Sequence, residues 1–329
     1  MDFQDIPTIE DSDTYLDMAF SKAKKKGKEL EQSLRKIDRG DRKKRSSTVK
    51  IEFVREFLNE KLKKVILGFP NLDNLSEFYK ELIKATLNYD KLKNSLGSLK
   101  WGLQKIREIG YYHSMKLQNA DSYEACASVI KSYYGRVSSI MDQVDDDLKY
   151  LMKARKQFLE FPAIKKGLFT VCLSGFPNVG KTTLLNKMTG SDAEVNSYAF
   201  TTKKLNMGYF KYNYQRVQVI DTPGTLARFE KMNTIEKQAE LAIKYQADYI
   251  VFLFDLSDAS YALDKQKKLF EKIHKYDKEI IVYISKVDIV DEKDVESLKK
   301  DLGDEYDYYT DAASLKKELG EIGFNRISF

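Results

Sequence analysis

A glycine-rich segment near the middle of the chain, Gly175-Phe-Pro-Asn-Val-Gly180-Lys181-Thr182, has the spacing G-x-x-x-x-G-K-[ST]. It follows the apolar run LFTVCLSG and opens a helical pattern. Glycines at these positions let backbone N–H groups turn towards a phosphate chain, while the lysine reaches the outer phosphates and the threonine hydroxyl binds magnesium. The segment predicts a phosphate-binding loop, and a chance glycine-rich turn is the weaker interpretation. The predicted loop residues are Gly175, Phe176, Pro177, Asn178, Val179, Gly180, Lys181, Thr182 and Thr183.

Two further segments stand where the other phosphate and metal contacts are expected. Asp221-Thr-Pro-Gly224 follows the apolar run VQVI, so Asp221 can hold the magnesium shell through water and the Gly224 N–H can face the γ-phosphate. Taken alone, DTPG also suits a simple turn. Between the two motifs lies Phe200-Thr201-Thr202, and we assign to Thr202 the threonine that closes on magnesium and the γ-phosphate. The predicted metal ligands are Thr182, Thr202 and Asp221.

The segment Ser285-Lys286-Val287-Asp288 follows the run EIIVYI and stands in the place of the guanine motif N-K-x-D. Asp288 would accept hydrogen bonds from guanine N1 and N2, and Lys286 would lie across the base. Ser285 replaces the usual asparagine, which bears on affinity more than on base identity; a plain surface loop is the competing interpretation. Asp311-Ala312-Ala313 is a weaker candidate for a backbone contact to the guanine oxygen, through Ala312 and Ala313.

The residue after Gly224 is Thr225, where many GTPases carry a glutamine that orients the attacking water, so slow hydrolysis is expected. Asn178 can help hold a potassium ion near the β- and γ-phosphates, or it can serve only to shape the loop. Equal hydrolysis rates in potassium and sodium buffers, unchanged by Asn178→Ala, would contradict the potassium role. The residues expected to act in catalysis are Lys181, Asn178, Thr202 and Gly224.

Short apolar runs alternate with amphipathic stretches from Leu168 onward, which predicts a mostly parallel sheet with crossover helices. The runs are LFTVCLSG, KLNMGYF, VQVID, YIVFLFDL and EIIVYIS. Helices are predicted near 181–189, 234–245, 263–276, 293–302 and 314–320. The fold class is an α/β P-loop GTPase domain preceded by an all-α helical bundle. We place the bundle domain at 1–166 and the GTPase domain at 167–329.

Residues up to about Lys166 have the pattern of successive helices. The predicted segments are 13–40, 49–68, a long one from Leu75 towards Leu117 that Gly97, Gly102 and Gly110 kink or divide, and a fourth that begins near Tyr123. The fourth carries an apolar residue every seven positions, which is typical of core packing in a helical bundle. These positions are Tyr123, Ile130, Val137, Val144, Leu151 and Phe158.

Charge is distributed unevenly along the chain, whose net charge is +6. Residues 1–20 hold six acids and no Lys or Arg, whereas residues 21–50 hold thirteen Lys or Arg against four acids. Such a stretch, Lys22–Lys50, attracts a phosphate backbone, although a solvated helix face explains it equally well. Two cysteines far apart and two histidines give no support to a disulfide framework or a zinc site. No apolar run reaches the ~18 residues of a membrane span, so we expect a cytoplasmic protein with no membrane contact.

The motifs together resemble the nucleolar GTP-binding protein (Nog) branch of the Obg-like GTPases, and an archaeal member in particular. The stretches GFPNVGKTTLLNKMTGSDAEVNSYAFTTKKLNMGYF and DTPGTLARFEKMNTIEKQAELAI carry the resemblance, which is strongest over residues 168–247. Ala199 stands where the family commonly has proline, and Ser285 stands where it has asparagine.

The resemblance implies a switch bound to GTP or GDP with Mg²⁺. It also implies a role in large ribosomal subunit assembly, with the helical domain and the switches contacting pre-ribosomal RNA and ribosomal proteins. Away from the ribosome a monomer is expected. Two other interpretations stay open: a ribosome-binding helical module whose nucleotide domain is structural or nearly inactive, and an ATPase like the Obg-like ATPases. Asp288 argues against the ATPase.

Overall fold

A computed structural model of the chain describes residues 3–165, 167–190, 206–222, 234–258 and 260–327. Contacts divide the chain into two units. One comprises Asp2–Asn74 and Leu87–Phe161, and the other comprises Leu75–Thr86 together with Pro162–Phe329. The first is referred to below as the helical unit and the second as the sheet unit.

Within the described residues, six α-helices precede the first strand. They are α1 (Ser12–Ser33), α2 (Arg39–Gly68), α3 (Glu77–Thr86), α4 (Tyr89–Gln118), α5 (Tyr123–Gln143) and α6 (Asp145–Leu159). In the helical unit, α2 packs against α1, α4 and α5, and α4 also packs against α6. The seven-residue apolar seam is core, because Val137, Val144, Leu151 and Phe158 are fully buried.

Side-chain caps set where these helices begin, and they correct three of the predicted boundaries. Asp38 accepts from the Gly40 N–H, so the second helix begins at Arg39 instead of residue 49 and includes the basic RGDRKKR segment. The first helix correspondingly ends at Ser33 and not near residue 40. Asn88 accepts from the Lys91 N–H and starts α4 there, which divides the segment predicted from residue 75 to 117.

Glycines do not divide α4, contrary to prediction. Gly102 and Gly110 lie inside the unbroken helix, where added Cβ atoms would stand 3.2 Å from Val144 Cγ1 and 2.7 Å from Arg55 Cδ. These glycines permit close packing of neighbouring helices. The fourth predicted segment is instead two helices joined at Val144, whose N–H bonds to Met141 O at 3.2 Å.

The sheet unit alternates strands and helices. Its strands are β1 (Phe169–Ser174), β2 (Asn206–Tyr212), β3 (Gln215–Asp221), β4 (Tyr249–Asp255), β5 (Glu279–Ser285) and β6 (Asp307–Tyr309). Its further described helices are α7 (Lys181–Thr189), α8 (Thr234–Gln246), α9 (Leu263–His274), α10 (Glu292–Leu302) and α11 (Ala312–Ile327). The strand order is β2-β3-β1-β4-β5-β6, and every neighbouring pair is parallel except β2 with β3. The predicted runs are confirmed as strands, and the predicted helices are present, although the last one extends to Ile327 instead of ending near residue 320; β6 was not predicted.

Every residue of β1 is buried, and so is every residue of β4 and β5 except the first. The central strands are therefore covered by helices on both faces. The parallel register brings Leu173 beside Asp221, and Asp255 beside Ser285. The carboxyl ends of four adjacent strands therefore meet along one edge, where the predicted motifs also lie.

Helix α3 belongs to the sheet unit although the chain places it among the bundle helices. It packs on α8, and its residues Phe78, Leu82 and Ile83 are fully buried. The Tyr79 hydroxyl donates to Pro162 O at 2.8 Å and accepts from the Ile164 N–H at 3.1 Å. The boundary at residue 166 stays a prediction. None of the described helices combines the length and apolar character that crossing a bilayer requires.

Candidate nucleotide-binding site

The loop between β1 and α7 has the backbone geometry of a phosphate cradle. Gly175, Asn178 and Gly180 have φ angles of +146°, +65° and +95°. A Cβ on Gly175 would lie 2.7 Å from Leu253 O, so only glycine fits where the loop passes β4. Gly180 O accepts the Leu184 N–H at 2.8 Å, which begins α7 directly after the loop. The positive end of this helix faces the loop.

Lys181 lies inside the loop with 7% of its surface exposed. Its ammonium group donates to Gly175 O at 3.0 Å and to Phe176 O at 2.6 Å. Burial lowers the pKa of Lys181 to about 8, against the opposing effect of the Asp221 charge. The loop's own carbonyls therefore hold a cation at the place where the sequence predicts the outer phosphates.

Thr182 and Asp221, predicted to share a magnesium ion, come together. The Thr182 hydroxyl donates to Asp221 Oδ2 at 2.6 Å, and Asn206 Nδ2 lies 3.3 Å from the same oxygen. Burial raises the pKa of Asp221, which is only 6% exposed. A hydroxyl and a carboxylate that converge in this way are ligands that suit Mg²⁺. The residues present fit this ion.

The end of β3 is fixed to β1. Thr222 donates to Leu173 O through both its N–H, at 3.2 Å, and its hydroxyl, at 2.7 Å. Asp221 is therefore held beside the phosphate loop by the sheet itself. Thr202 and Gly224, the other residues predicted near the γ-phosphate, lie outside the described residues, as does Thr225.

The predicted base-binding segment follows β5. Lys286 has φ +55°, and its ammonium group pairs with Asp255 Oδ2 at 2.5 Å. Burial alone would raise the pKa of Asp255, but hydrogen bonds from Lys286 and Ser257 hold it below its usual value. With its charge anchored at Asp255, Lys286 can present its methylene chain to a base.

Ser285 binds the neighbouring strand. Its hydroxyl donates to Phe254 O at 3.0 Å, and a Cβ on Gly180 would lie 3.9 Å from Ser285 Cβ. The base segment and the phosphate loop are thus adjacent. Asp288 is exposed, in a short 3-10 turn over Val287–Ile289. The structure brings Lys181, Thr182, Asp221 and Ser285 to one edge of the sheet.

The segment at Asp311 begins the last helix. Asp311 accepts from the Ser314 N–H at 2.8 Å and the Ser314 hydroxyl at 3.0 Å, and these bonds lower its pKa. Ala312 is half-buried and Ala313 is exposed at the start of α11. Their backbone contact to a base stays a prediction.

Sequence reasoning missed three residues that support this site. Asp255 anchors Lys286, Asn206 contacts Asp221, and the buried Gln266 donates to Asp255 O at 2.7 Å while accepting the Asp255 N–H at 3.0 Å. An acid at the end of the apolar run YIVFLFD was a usable signal for Asp255. The other two depend on contacts between segments that are distant in sequence.

The loop between β1 and α7 with its buried Lys181, and the Thr182–Asp221 pair between α7 and β3, fit a P-loop GTPase domain. Residues 170–286 match the family described as 50S ribosome-binding GTPase, and residues 3–165 match the NOG1 N-terminal helical domain. This chain belongs to the NOG1 family of GTPases, whose members include the nucleolar GTP-binding proteins 1.

Relatives match along most of the chain. Uncharacterized protein MJ1408 of Methanocaldococcus jannaschii is 37% identical over 249 residues, which are 75% of this chain and 70% of the relative. Nucleolar GTP-binding protein 1 of Drosophila melanogaster is 32% identical over 297 residues, 89% of this chain and 45% of that protein. The Saccharomyces cerevisiae protein of that name is 30% identical, and the match covers 92% of this chain and 47% of that protein. This chain therefore spans about half the length of its eukaryotic relatives.

Solved structures are similar to this chain only at low TM-score. The cytosolic domain of the T. maritima FeoB iron transporter, in its apo form, is 26% identical with a TM-score of 0.38. The match covers 48% of this chain and 64% of that one.

The buried Lys181 predicts a pH dependence of stability. The folded pKa of about 8 lies below the unfolded value of 10.5, so unfolding takes up a proton between these pH values and the folded state gains stability as pH rises. In the ligand-free protein, the free energy of unfolding relative to Lys181→Met should rise by about 2 kcal/mol from pH 7 to pH 9.5. Urea unfolding followed by circular dichroism measures this difference. Exposed Lys187, changed to Met, is the control; a difference for Lys181→Met that does not vary with pH would contradict the prediction.

Proposed function

We propose that this chain binds GTP and GDP with Mg²⁺ and hydrolyses GTP slowly, as a switch in assembly of the large ribosomal subunit. The observation that carries the nucleotide part is the 2.6 Å contact between the Thr182 hydroxyl and Asp221, beside the buried Lys181. The relatives' name and the matched ribosome-binding GTPase family support the ribosomal part.

Each residue has a distinct role in this proposal. The backbone of the loop and Lys181 would bind the phosphates, and Thr182 and Asp221 would hold Mg²⁺, which would supply positive charge to the phosphate chain. When GTP is bound, Thr202 and the Gly224 N–H close on the γ-phosphate, and they are released after hydrolysis. Thr225 in place of a water-orienting glutamine makes the intrinsic rate slow.

Asp288 selects guanine in this proposal, and a change of one atom tests it. In Asp288→Asn, the amide can accept from base N1–H and donate to the O2 of xanthine, but it cannot accept from guanine N2. GTP affinity should fall about a hundredfold while XTP affinity rises, because hydrogen bonds to charged groups contribute about 1.5–3 kcal/mol each. Displacement of a fluorescent GDP analogue by GTP, XTP and ATP measures this. The exposed Asp291, changed to Asn, is the control.

If Asp288→Asn still prefers GTP to XTP, Asp288 does not select guanine. Effective competition by ATP against the wild-type protein would favour the ATPase interpretation instead. The two outcomes are separable because the first concerns the variant and the second concerns the unaltered site.

Potassium at Asn178 is part of the proposal. Asn178 is exposed at the loop, and its φ of +65° is one that asparagine and glycine tolerate. GTP hydrolysis should be at least about tenfold faster in potassium than in sodium buffer, since a cation stabilises charge that develops on the phosphates. Asn178→Gly should abolish the difference without backbone strain, and the exposed Asn186→Gly should not. Equal rates in the two buffers would contradict the role.

The basic stretch forms the RNA contact in this proposal, with its cations held against aromatic rings. Lys22 lies 5.0 Å from the Phe57 ring centroid and Lys26 lies 4.6 Å from that of Phe53. Arg39 and Lys43 lie 4.8 and 4.6 Å from the Tyr123 centroid. Rings that hold the cations reduce the entropy lost when phosphates bind.

Lys50 is an exception within the stretch. Its side chain is 13% exposed and lies 3.6 Å from Glu31, and burial lowers its pKa. Its charge is already balanced inside the helical unit, so the proposed RNA contact excludes it.

Sedimentation with large ribosomal subunits tests the switch and the RNA contact together. Binding of the wild-type chain should differ between a non-hydrolysable GTP analogue and GDP, and Lys181→Ala should lose that difference. Reversal of Lys22, Lys26 and Lys43 to Glu should weaken binding in both nucleotide states. It should also reduce the slope of log Kd against log salt concentration by roughly 2–3. Reversal of the exposed Lys265, Lys268 and Lys300 is the charge-matched control.

Nucleotide-independent binding that Lys181→Ala leaves intact would favour the alternative, a binding module with a structural nucleotide domain. If the basic-stretch variant and the control variant show the same salt dependence, the basic stretch does not contact RNA. That result would leave the proposed nucleotide site unaffected.

A further inference from the structure

A cavity of about 370 Å³ opens between α4 and α5 of the helical unit. Its lining includes Tyr112, His113 and Lys116 from α4, with Ser132 and Arg136 from α5. None of these residues belongs to the basic stretch Lys22–Lys50 or to the nucleotide site. Its size falls in the range of roughly 300–1,000 Å³ typical of ligand pockets.

Two consecutive tyrosines give this region an exposed aromatic surface. Tyr111 is 61% exposed and Tyr112 is 55% exposed, so both rings are open to solvent. Each ring holds a cation: Arg55 lies 4.7 Å from the Tyr111 centroid, and Lys116 lies 4.7 Å from that of Tyr112. The alternation of planar rings and cations matches a ligand in which planar groups alternate with phosphates.

Hydrogen bonding fixes the polarity of the cavity wall. His113 is 3% exposed, and its Nδ1 lies 2.9 Å from Ile109 O, which can only accept. In the neutral ring Nδ1 therefore carries the hydrogen, and Nε2 accepts from the Ser132 hydroxyl at 3.3 Å. The Ser132 oxygen then presents only lone pairs to the cavity, so it can accept a hydrogen bond from an amino or imino group.

The charge around the cavity is positive. Lys116 and Arg136 line it, and neither is in an ion pair within the part of the chain that the structure describes. The single acid of the lining, Glu108, accepts from Lys105 at 2.7 Å and from Gln104 at 2.9 Å. Two cations thus face the cavity, and its one acid is already paired with Lys105.

We propose that this cavity binds one unpaired nucleotide of a single-stranded RNA. The base stacks against Tyr112 and donates a hydrogen bond to Ser132, and the flanking phosphates contact Lys116 and Arg136. A duplex keeps its bases stacked inside and cannot offer one to the cavity. The inference rests on the proposed function only in taking RNA as the partner; its surface and its chemistry differ from those of the basic stretch.

Fluorescence anisotropy of the full chain with a labelled ten-nucleotide single strand, and with a duplex of the same sequence, tests the site. Tyr112→Ala should weaken single-strand binding about tenfold, the order expected for loss of one stacked base, and leave duplex binding unchanged. Tyr112→Phe, which keeps the ring, should bind like the wild type. The fully exposed Tyr214→Ala is the matched control.

Photocrosslinking locates the contact. A strand that contains 4-thiouridine should crosslink to peptides of α4 or α5 in the wild type and lose that crosslink in Tyr112→Ala. Single-strand affinity equal to wild type in Tyr112→Ala, or crosslinks confined to the basic stretch, would overturn the proposal. If instead the Lys22, Lys26 and Lys43 reversal leaves RNA binding intact while Tyr112→Ala weakens it, the basic-stretch contact fails and the cavity stands.

Discussion

Parallel pairing of β1 with β3 and β4 is the constraint on which the site depends. The pairing places Leu173 beside Asp221, and Thr222 adds two hydrogen bonds to Leu173 O at the end of β3. A slip of one residue would turn Asp221 to the other face of the sheet and remove it from Thr182. The contact between Thr182 and Asp221 is therefore a property of sheet register more than of the helix that carries Thr182.

The ligand-free site keeps its charges by satisfying them internally. Burial shifts the pKa of Lys181 down and that of Asp221 up, because each charged form loses hydration. Loop carbonyls and the Thr182 hydroxyl compensate in part. In the proposed function, a phosphate chain and Mg²⁺ would replace these partners, and they would favour the charged form of both groups.

Sequence patterns predicted what local spacing decides. The phosphate loop, the helix Lys181–Thr189 and five of the strands follow from motifs and apolar runs that need no distant partner. Three features escaped because long-range contacts decide them. The short β6 exists by pairing with β5, α3 packs on α8 although the chain places it among bundle helices, and Asp255 matters because Lys286 reaches it across 31 residues. Helix boundaries failed where caps such as Asp38 and Asn88 outweighed the glycines.

Charge counting alone also gave an incomplete description of the helical unit. Within one basic stretch, Lys26 lies over the Phe53 ring at the surface, whereas Lys50 is enclosed beside Glu31 and Ser46, so equal formal charges have different physical roles. An exposed cation held on a ring keeps its electrostatic reach and loses little entropy on binding, whereas the charge of Lys50 is balanced by Glu31. The proposed RNA contact therefore rests on the cation and ring pairs, whereas net charge counts Lys50 as well. By this criterion α4 carries a second such surface, at Tyr111 and Tyr112, which the charge profile of the sequence does not reveal.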